Sequence, residues 1–340
     1  MFMKANILTL ITISTAIFLA SCEKEIEFKG EEIDPKLVVN SLVEVGQPVK
    51  ANISKSCFFL SSNTVMTAPD DLVATLYVNG NRIGEMTPFF DTIWESLDMN
   101  DYYLISSYCN EYCPQQGDIV SITASANGFD DVEGTTSPLP KPVDCAVTDC
   151  KIIDWNVNYS ENYEGESDSI CYVYYTLELT VEITDPNPRQ TDFFRLYVEN
   201  GSWYVEGFNY VSCYAQYNDP IFGATVADDY DVINFNDLDL GPENVFTDML
   251  FDGKSYSIKI PVYGSLKMDG TAPPDFFSIE LEVEHLSKEY YNYLNTCNQG
   301  DEIMQFFAEP IQTYSNVSGG YGLVGGKAVS TLRFPLPLEE

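Results

Sequence analysis

Residues 318–334 read SGGYGLVGGKAVSTLRF, and whether they form a phosphate loop or the entrance to a strand decides the fold. Gly320, Gly322 and Gly325 have the G-x-G-x-x-G spacing of a dinucleotide-binding turn. Such a turn works because a strand enters it and a helix leaves it, so that the helix N-terminus meets the pyrophosphate. Here a β-branched run, residues 327–334, leaves the glycines and stops at Pro335. A phosphate loop ending at Lys327 would need glycine at Tyr321, and Ala328 stands where its Ser or Thr belongs. The stretch is therefore predicted to be a glycine-rich hairpin or bulge leading into a last strand.

The rest of the chain supports that choice. Residues 37–43 (LVVNSLV) and 49–54 flank a Gly46-containing turn, and residues 73–78 (VATLYV) lead through Asn79-Gly80 into residues 82–86. Asn-Gly supplies the positive φ angles of a tight hairpin. Residues 118–125 alternate, and Asn127-Gly128 introduces another short strand. Short strands at this spacing indicate a β-sandwich. In the second half, residues 172–183 (YVYYTLELTVEI), 193–198, 254–262 and 276–283 read as strands from their β-branched and aromatic content. One helix is expected after Ser287 as N-cap, with Tyr290, Tyr293, Leu294 and Cys297 on one face. The expected fold is mainly β: an N-terminal immunoglobulin-like β-sandwich over 35–137, then a larger β-rich domain over 143–340 with one short C-terminal helix. Three prolines in residues 138–142 (PLPKP) make a stiff linker between them.

The N-terminus adds an address. Lys4 precedes an uncharged, mostly apolar run over residues 5–20, which ends in Leu19-Ala20-Ser21-Cys22. The run is shorter than the about 20 residues of a spanning helix and suits a signal peptide over residues 1–21. Small residues before Cys22 suit lipoprotein processing, with Cys22 as the lipidated residue and acyl chains such as palmitate as the anchor. Residues 22–34 are charged and suit a tether, and the acidic stretch after Cys22 resembles a surface-export signal. The expected location is the outer membrane, on its periplasmic face or, in preference, at the cell surface.

Acidic residues number 52 against 17 basic ones, a formal charge of −35. That charge excludes nucleic acid as a partner, since phosphate binding needs basic patches. Beyond Cys22 there are Cys57, Cys109, Cys113, Cys145, Cys150, Cys171, Cys213 and Cys297, an even number that reads as disulfides in an exported chain. Cys109 with Cys113, and Cys145 with Cys150, are close enough in sequence for local bridges. With His285 as the one histidine and no C-x-x-C, zinc is not expected.

Catalytic chemistry finds little support. His285 sits at a strand-to-helix junction, where a packed or capping role is expected, and no G-x-S-x-G elbow accompanies it. Asp228, Asp229, Asp231, Asp237 and Asp239 offer oxygen ligands to calcium. They depart from an EF-hand, because Gly241 falls at loop position 5 and Asp248 replaces the closing glutamate. The alternative for these residues is a solvated loop. Trp203, Tyr204, Phe208, Tyr210 and Tyr214 crowd one segment and are candidate interface aromatics, the alternative being a hairpin that fills the second core. No cofactor is expected.

Several motifs carry a family resemblance: the lipobox with residues 22–26 (CEKEI), residues 35–40 (PKLVVN), 251–256 (FDGKSY), 286–294 (LSKEYYNYL), and 309–317 (EPIQTYSNV) with its glycine-rich tail. Together they resemble the Bacteroidota outer-membrane lipoproteins of domain-of-unknown-function family 4249. The resemblance spans the chain from Cys22 onward and carries over no catalytic residues. It implies an envelope protein associated with a TonB-dependent outer-membrane β-barrel. The expected function is a non-catalytic accessory that binds a ligand or partner. The alternatives are a fimbrillin-like or adhesin subunit and, less favoured, a glycan or peptide hydrolase.

Overall fold

The computed structural model describes residues 34–57, 67–94, 102–160, 170–198, 201–205, 208–223, 244–269, 278–297 and 313–335. Three sheets carry the fold. The largest runs in the order β14 (Val245–Thr247), β11 (Phe193–Val198), β16 (Ser278–Leu286), β18 (Tyr321–Pro335), β1 (Leu37–Glu44), β2 (Val49–Lys55), β6 (Tyr102–Asn110), β5 (Thr87–Trp94). The second runs β12 (Gly201–Val205), β13 (Phe208–Ala215), β15 (Ser255–Asp269), β10 (Ile170–Thr184), β9 (Asp144–Ser160). The third runs β17 (Val317–Ser318), β8 (Val132–Thr135), β7 (Val120–Ser125), β3 (Val73–Val78), β4 (Asn81–Glu85). The chain is mainly β, and helix α1 (Lys288–Cys297) is the one α-helix among the described residues.

Period-two alternation becomes burial. β10 buries Val173, Tyr175, Leu177, Leu179, Val181 and Ile183, and these meet Ile258, Ile260 and Val262 of β15 and Leu281 and Val283 of β16 in one core. A second core gathers Leu37, Val39, Ile53, Leu76 and Ile122 from the largest and third sheets. Each such side chain contributes about 1.5–3 kcal/mol by leaving water. Asn79 and Gly80 both have positive φ, 51° and 76°, and close the hairpin between β3 and β4.

The largest sheet takes strands from both sides of residues 138–142, and contacts group Pro35–Glu340 into one unit. The Pro-rich segment is a packed connector rather than a bare spacer. Leu139 is buried in the second core, and its backbone bonds Asp118 O and Gly117 N at 2.8 Å each.

The glycine-rich stretch does lead into the last strand described, but not as a hairpin. β17 pairs with β8, whereas β18 runs parallel to β1, from Val38↔Tyr321 to Glu44↔Lys327. The chain thus steps from the third sheet into the largest one. Gly322 has φ +114°, and a Cβ there would run into Val39 O of the neighbouring strand. The glycines are spaced for close backbone approach, not for a ligand. Helix α1 lies over them, with Tyr290 against Gly325. Its expected N-cap is present: Ser287 Oγ accepts from Tyr290 N at 3.3 Å and from Gly326 N at 2.9 Å.

Candidate functional site

Lys327, the residue that imitates a phosphate-loop lysine, is engaged within the protein. Its Nζ lies 2.6 Å from Glu284 Oε1 and 3.6 Å from Glu44 Oε2. Glu284 also meets Arg195 Nε at 2.7 Å and is itself fully buried. Burial alone pulls the Lys327 pKa down, but the hydrogen bond to Glu284 and the Glu284 and Glu44 charges outweigh it, so the net shift is upward. The three charges pin β11, β16 and β18 together across neighbouring strands.

His285, on β16, is buried as well. Its Nδ1 faces Lys141 O at 2.8 Å and its Nε2 faces Asp192 Oδ1 at 3.3 Å. A carbonyl oxygen can only accept, so Nδ1 donates to it. A cleft of about 530 Å³ opens here, lined by Pro138, Lys141, Asn187, Asp192, His285 and Lys288 among others. Both imidazole nitrogens are already committed to the protein, and neither is left to act on a molecule in the cleft.

The outer face of the second sheet is different in kind. On β10 the residues that point away from the core begin with Tyr172 and Tyr174, whose rings stack at 6.4 Å. On β13 and β15, Tyr214 and Tyr263 are register partners whose rings stack at 5.8 Å. Tyr263 lies opposite Thr176, two residues from Tyr174 on the same face. Diagonal neighbours of this kind are within reach of aromatic side chains. Four tyrosines therefore cross three adjacent strands as one row. Tyr174, Tyr214 and Tyr263 are 47%, 41% and 41% exposed. Each ring offers an apolar face and a hydroxyl, which suits contact with a partially polar surface.

Of the aromatics expected from sequence, Tyr214 belongs to this row. Trp203 and Tyr204 fall on β12, and Phe208 and Tyr210 on β13, with side chains outside the described residues. Tyr172, Tyr174 and Tyr263 were missed. Alternation in residues 172–183 puts Tyr172 and Tyr174 on one face, but only the core's position makes that face the outer one.

The other expected residues fare differently. Cys22 and the acidic set Asp228, Asp229, Asp231, Asp237 and Asp239 lie outside the described residues. Cys109, Cys113, Cys145 and Cys150 are unbonded thiols. Cys145 and Cys150 both lie on β9, opposite Ile183 and Leu179. Five positions along a strand span roughly 15 Å at about 3.3 Å each, far beyond the reach of a disulfide. The local bridge between them is thus corrected by the length of β9, which its polar sequence did not reveal. Cys109 and Cys113 both turn toward Glu111, with Cys109 Sγ 3.9 Å from Oε1 and Cys113 Sγ 3.6 Å from the backbone oxygen.

The model for the family described as domain of unknown function (DUF4249) matches residues 23–333. The chain belongs to the DUF4249 family. No curated protein matches this DUF4249 member. Among solved structures it aligns with a collagen adhesin from S. aureus at 7% identity, over 89% of this chain and 95% of that one, with a TM-score of 0.11. A score that low carries no argument about fold or function. Among the described residues of this DUF4249 protein, no helix is long and apolar enough to cross a membrane.

Proposed function

We propose that this DUF4249 protein is a non-catalytic lipoprotein of the outer membrane, held there through Cys22, which binds a ligand or partner as the accessory of a TonB-dependent β-barrel. The tyrosine row on the second sheet is its contact surface. That row carries the reading: three rings more than 40% exposed on adjacent strands add little to the core, whereas rigid amphipathic rings are the side chains that binding surfaces favour. The committed nitrogens of His285 support the absence of catalysis.

The test is co-purification from detergent-solubilised outer membranes. A β-barrel should accompany the wild-type protein and be lost from a Tyr174→Ser, Tyr214→Ser, Tyr263→Ser variant that still folds. Recovery of the wild type without a barrel would refute the accessory role. Retention of the barrel by the triple variant would refute the contact surface. Cys22→Ser should release the protein from the membrane, and unchanged fractionation would defeat the anchoring.

A further inference from the structure

Two loops meet at one end of the first core. Residues 185–192 (DPNPRQTD) connect β10 to β11, and residues 248–254 (DMLFDGK) connect β14 to β15. They interlock through the backbone. Asp185 N donates to Lys254 O at 2.9 Å, and Asp248 N donates to Asp192 O at 3.3 Å. Arg189 N donates to Asp252 Oδ1 at 2.6 Å, and Asn187 N donates to Asp185 Oδ1 at 2.8 Å. Gly253 N donates to the second oxygen of Asp185. These bonds fix the carboxylates of Asp185 and Asp252 and the backbone of Asp248 before any ligand arrives.

One carboxylate oxygen from each of Asp185, Asp248 and Asp252 lies within 4.8 Å of the other two. Two oxygens bound to one calcium ion at about 2.4 Å each can be no more than about 4.8 Å apart, so the three can share one cation. Asp185 and Asp248 are buried, at 6% and 2% exposure, and Asp252 is at the surface. Among the described residues no lysine, arginine or histidine forms an ion pair with any of the three.

A second observation points to a missing partner. Asp248 Oδ2 is buried without a hydrogen-bond partner, and so is Oδ2 of the neighbouring Asp192. A buried carboxylate oxygen without a donor or counter-charge is destabilised, because nothing replaces the water it has lost. The like charges of Asp192, Asp185 and Asp252 surround the Asp248 carboxylate and add to the cost of burying it. A cation removes both penalties.

We propose that Asp185, Asp248 and Asp252 bind one calcium ion, with water completing the shell on the exposed Asp252 side. Oxygen-only donors select a hard cation, and three carboxylates with open positions suit the larger, more flexible shell of calcium over octahedral magnesium. The affinity class is that of extracellular modules, with Kd of about 10⁻⁴–10⁻³ M. The ion clamps the loop leaving β10 to the turn entering β15, at the junction of the largest and second sheets.

The test uses the full chain, stripped with EDTA and dialysed, in detergent. Calorimetric titration with CaCl2 should show one site, and 10 mM CaCl2 should raise the melting temperature by about 3 °C through mass action. Asp248→Asn keeps the shape and removes one repelling charge. Without metal it should melt no lower than the wild type, and it should lose the calcium shift. Asp252→Asn, at the surface, should weaken calcium binding about tenfold or more, and Asp237→Asn should leave it unchanged. Absence of calcium binding below 10 mM would overturn the proposal, as would an equal response to MgCl2. A shift kept by Asp248→Asn but lost in Asp237→Asn would place calcium elsewhere and overturn it too.

Discussion

Glu284 is the acceptor on which the centre of the largest sheet depends, and Glu284→Gln tests that directly. The substitution keeps the shape and removes the charge that Arg195 Nε meets at 2.7 Å and Lys327 Nζ at 2.6 Å. Both cations remain, facing each other across an amide. Breaking a buried ion pair by removing one partner costs about 3–5 kcal/mol. The lower end applies here, because the side chains of Arg195 and Lys327 are 24% and 16% exposed and Lys327 retains Glu44. Urea unfolding at pH 7 should therefore show a loss of about 3 kcal/mol. The sign of the pH dependence follows from Lys327, whose folded pKa is raised above 10.5. Its contribution is complete below pH 10.5 and is lost as pH rises through the folded value. In Glu284→Gln that alkaline loss should shrink. A second variant removes the whole network, with Arg195→Met, Glu284→Leu and Lys327→Met together. Replacing a complete buried pair by apolar groups is often neutral, so this variant should recover most of the stability. A loss below about 1 kcal/mol for Glu284→Gln, or a combined variant no better than the single one, would refute the reasoning.

Three more outcomes are expected. Gly322→Ala forces a Cβ at φ +114° against Val39 O, and should cost at least about 2 kcal/mol in denaturant unfolding. Ser287→Ala removes the cap on Tyr290 N and strands the buried Gly326 N, and should cost about 2 kcal/mol with visible fraying of α1 by hydrogen exchange. Burial first, with Asp144 adding to it against a lowering hydrogen bond from Ser330, lifts the Cys145 thiol to about 11. Iodoacetamide at pH 8 should therefore label exposed Cys57 and Cys297 in the native protein well before Cys145, as read by peptide mass spectrometry.

Ser287 with its helix, the Asn79-Gly80 hairpin and the alternating strand of residues 172–183 depend on neighbours a few residues away, and each stands in the fold where the sequence put it. β9 was missed because residues 144–160 mix Asp, Asn, Lys and Cys with few regular apolar positions. It is the edge strand beside β10, and the partner supplies the order its own pattern lacks. The aromatic segment pointed to Tyr214, but the rest of the row came from Tyr172, Tyr174 and Tyr263, which sequence distance hides. Among the described residues, the carboxylates that converge are Asp185, Asp248 and Asp252, which come from two loops far apart in sequence.

By itself, then, the sequence of this DUF4249 protein determined its β character, its helix, its family and the turn chemistry of its glycines. Those follow from backbone sterics and periodicity, which act over a few residues. Only the tertiary structure decided that β18 lies parallel to β1, where Leu323 N meets Asn40 Oδ1 across 283 residues. It alone decided which tyrosines face out and which carboxylates are buried together. Such pairings depend on which strands become neighbours, and burial then turns scattered residues into a surface or a site.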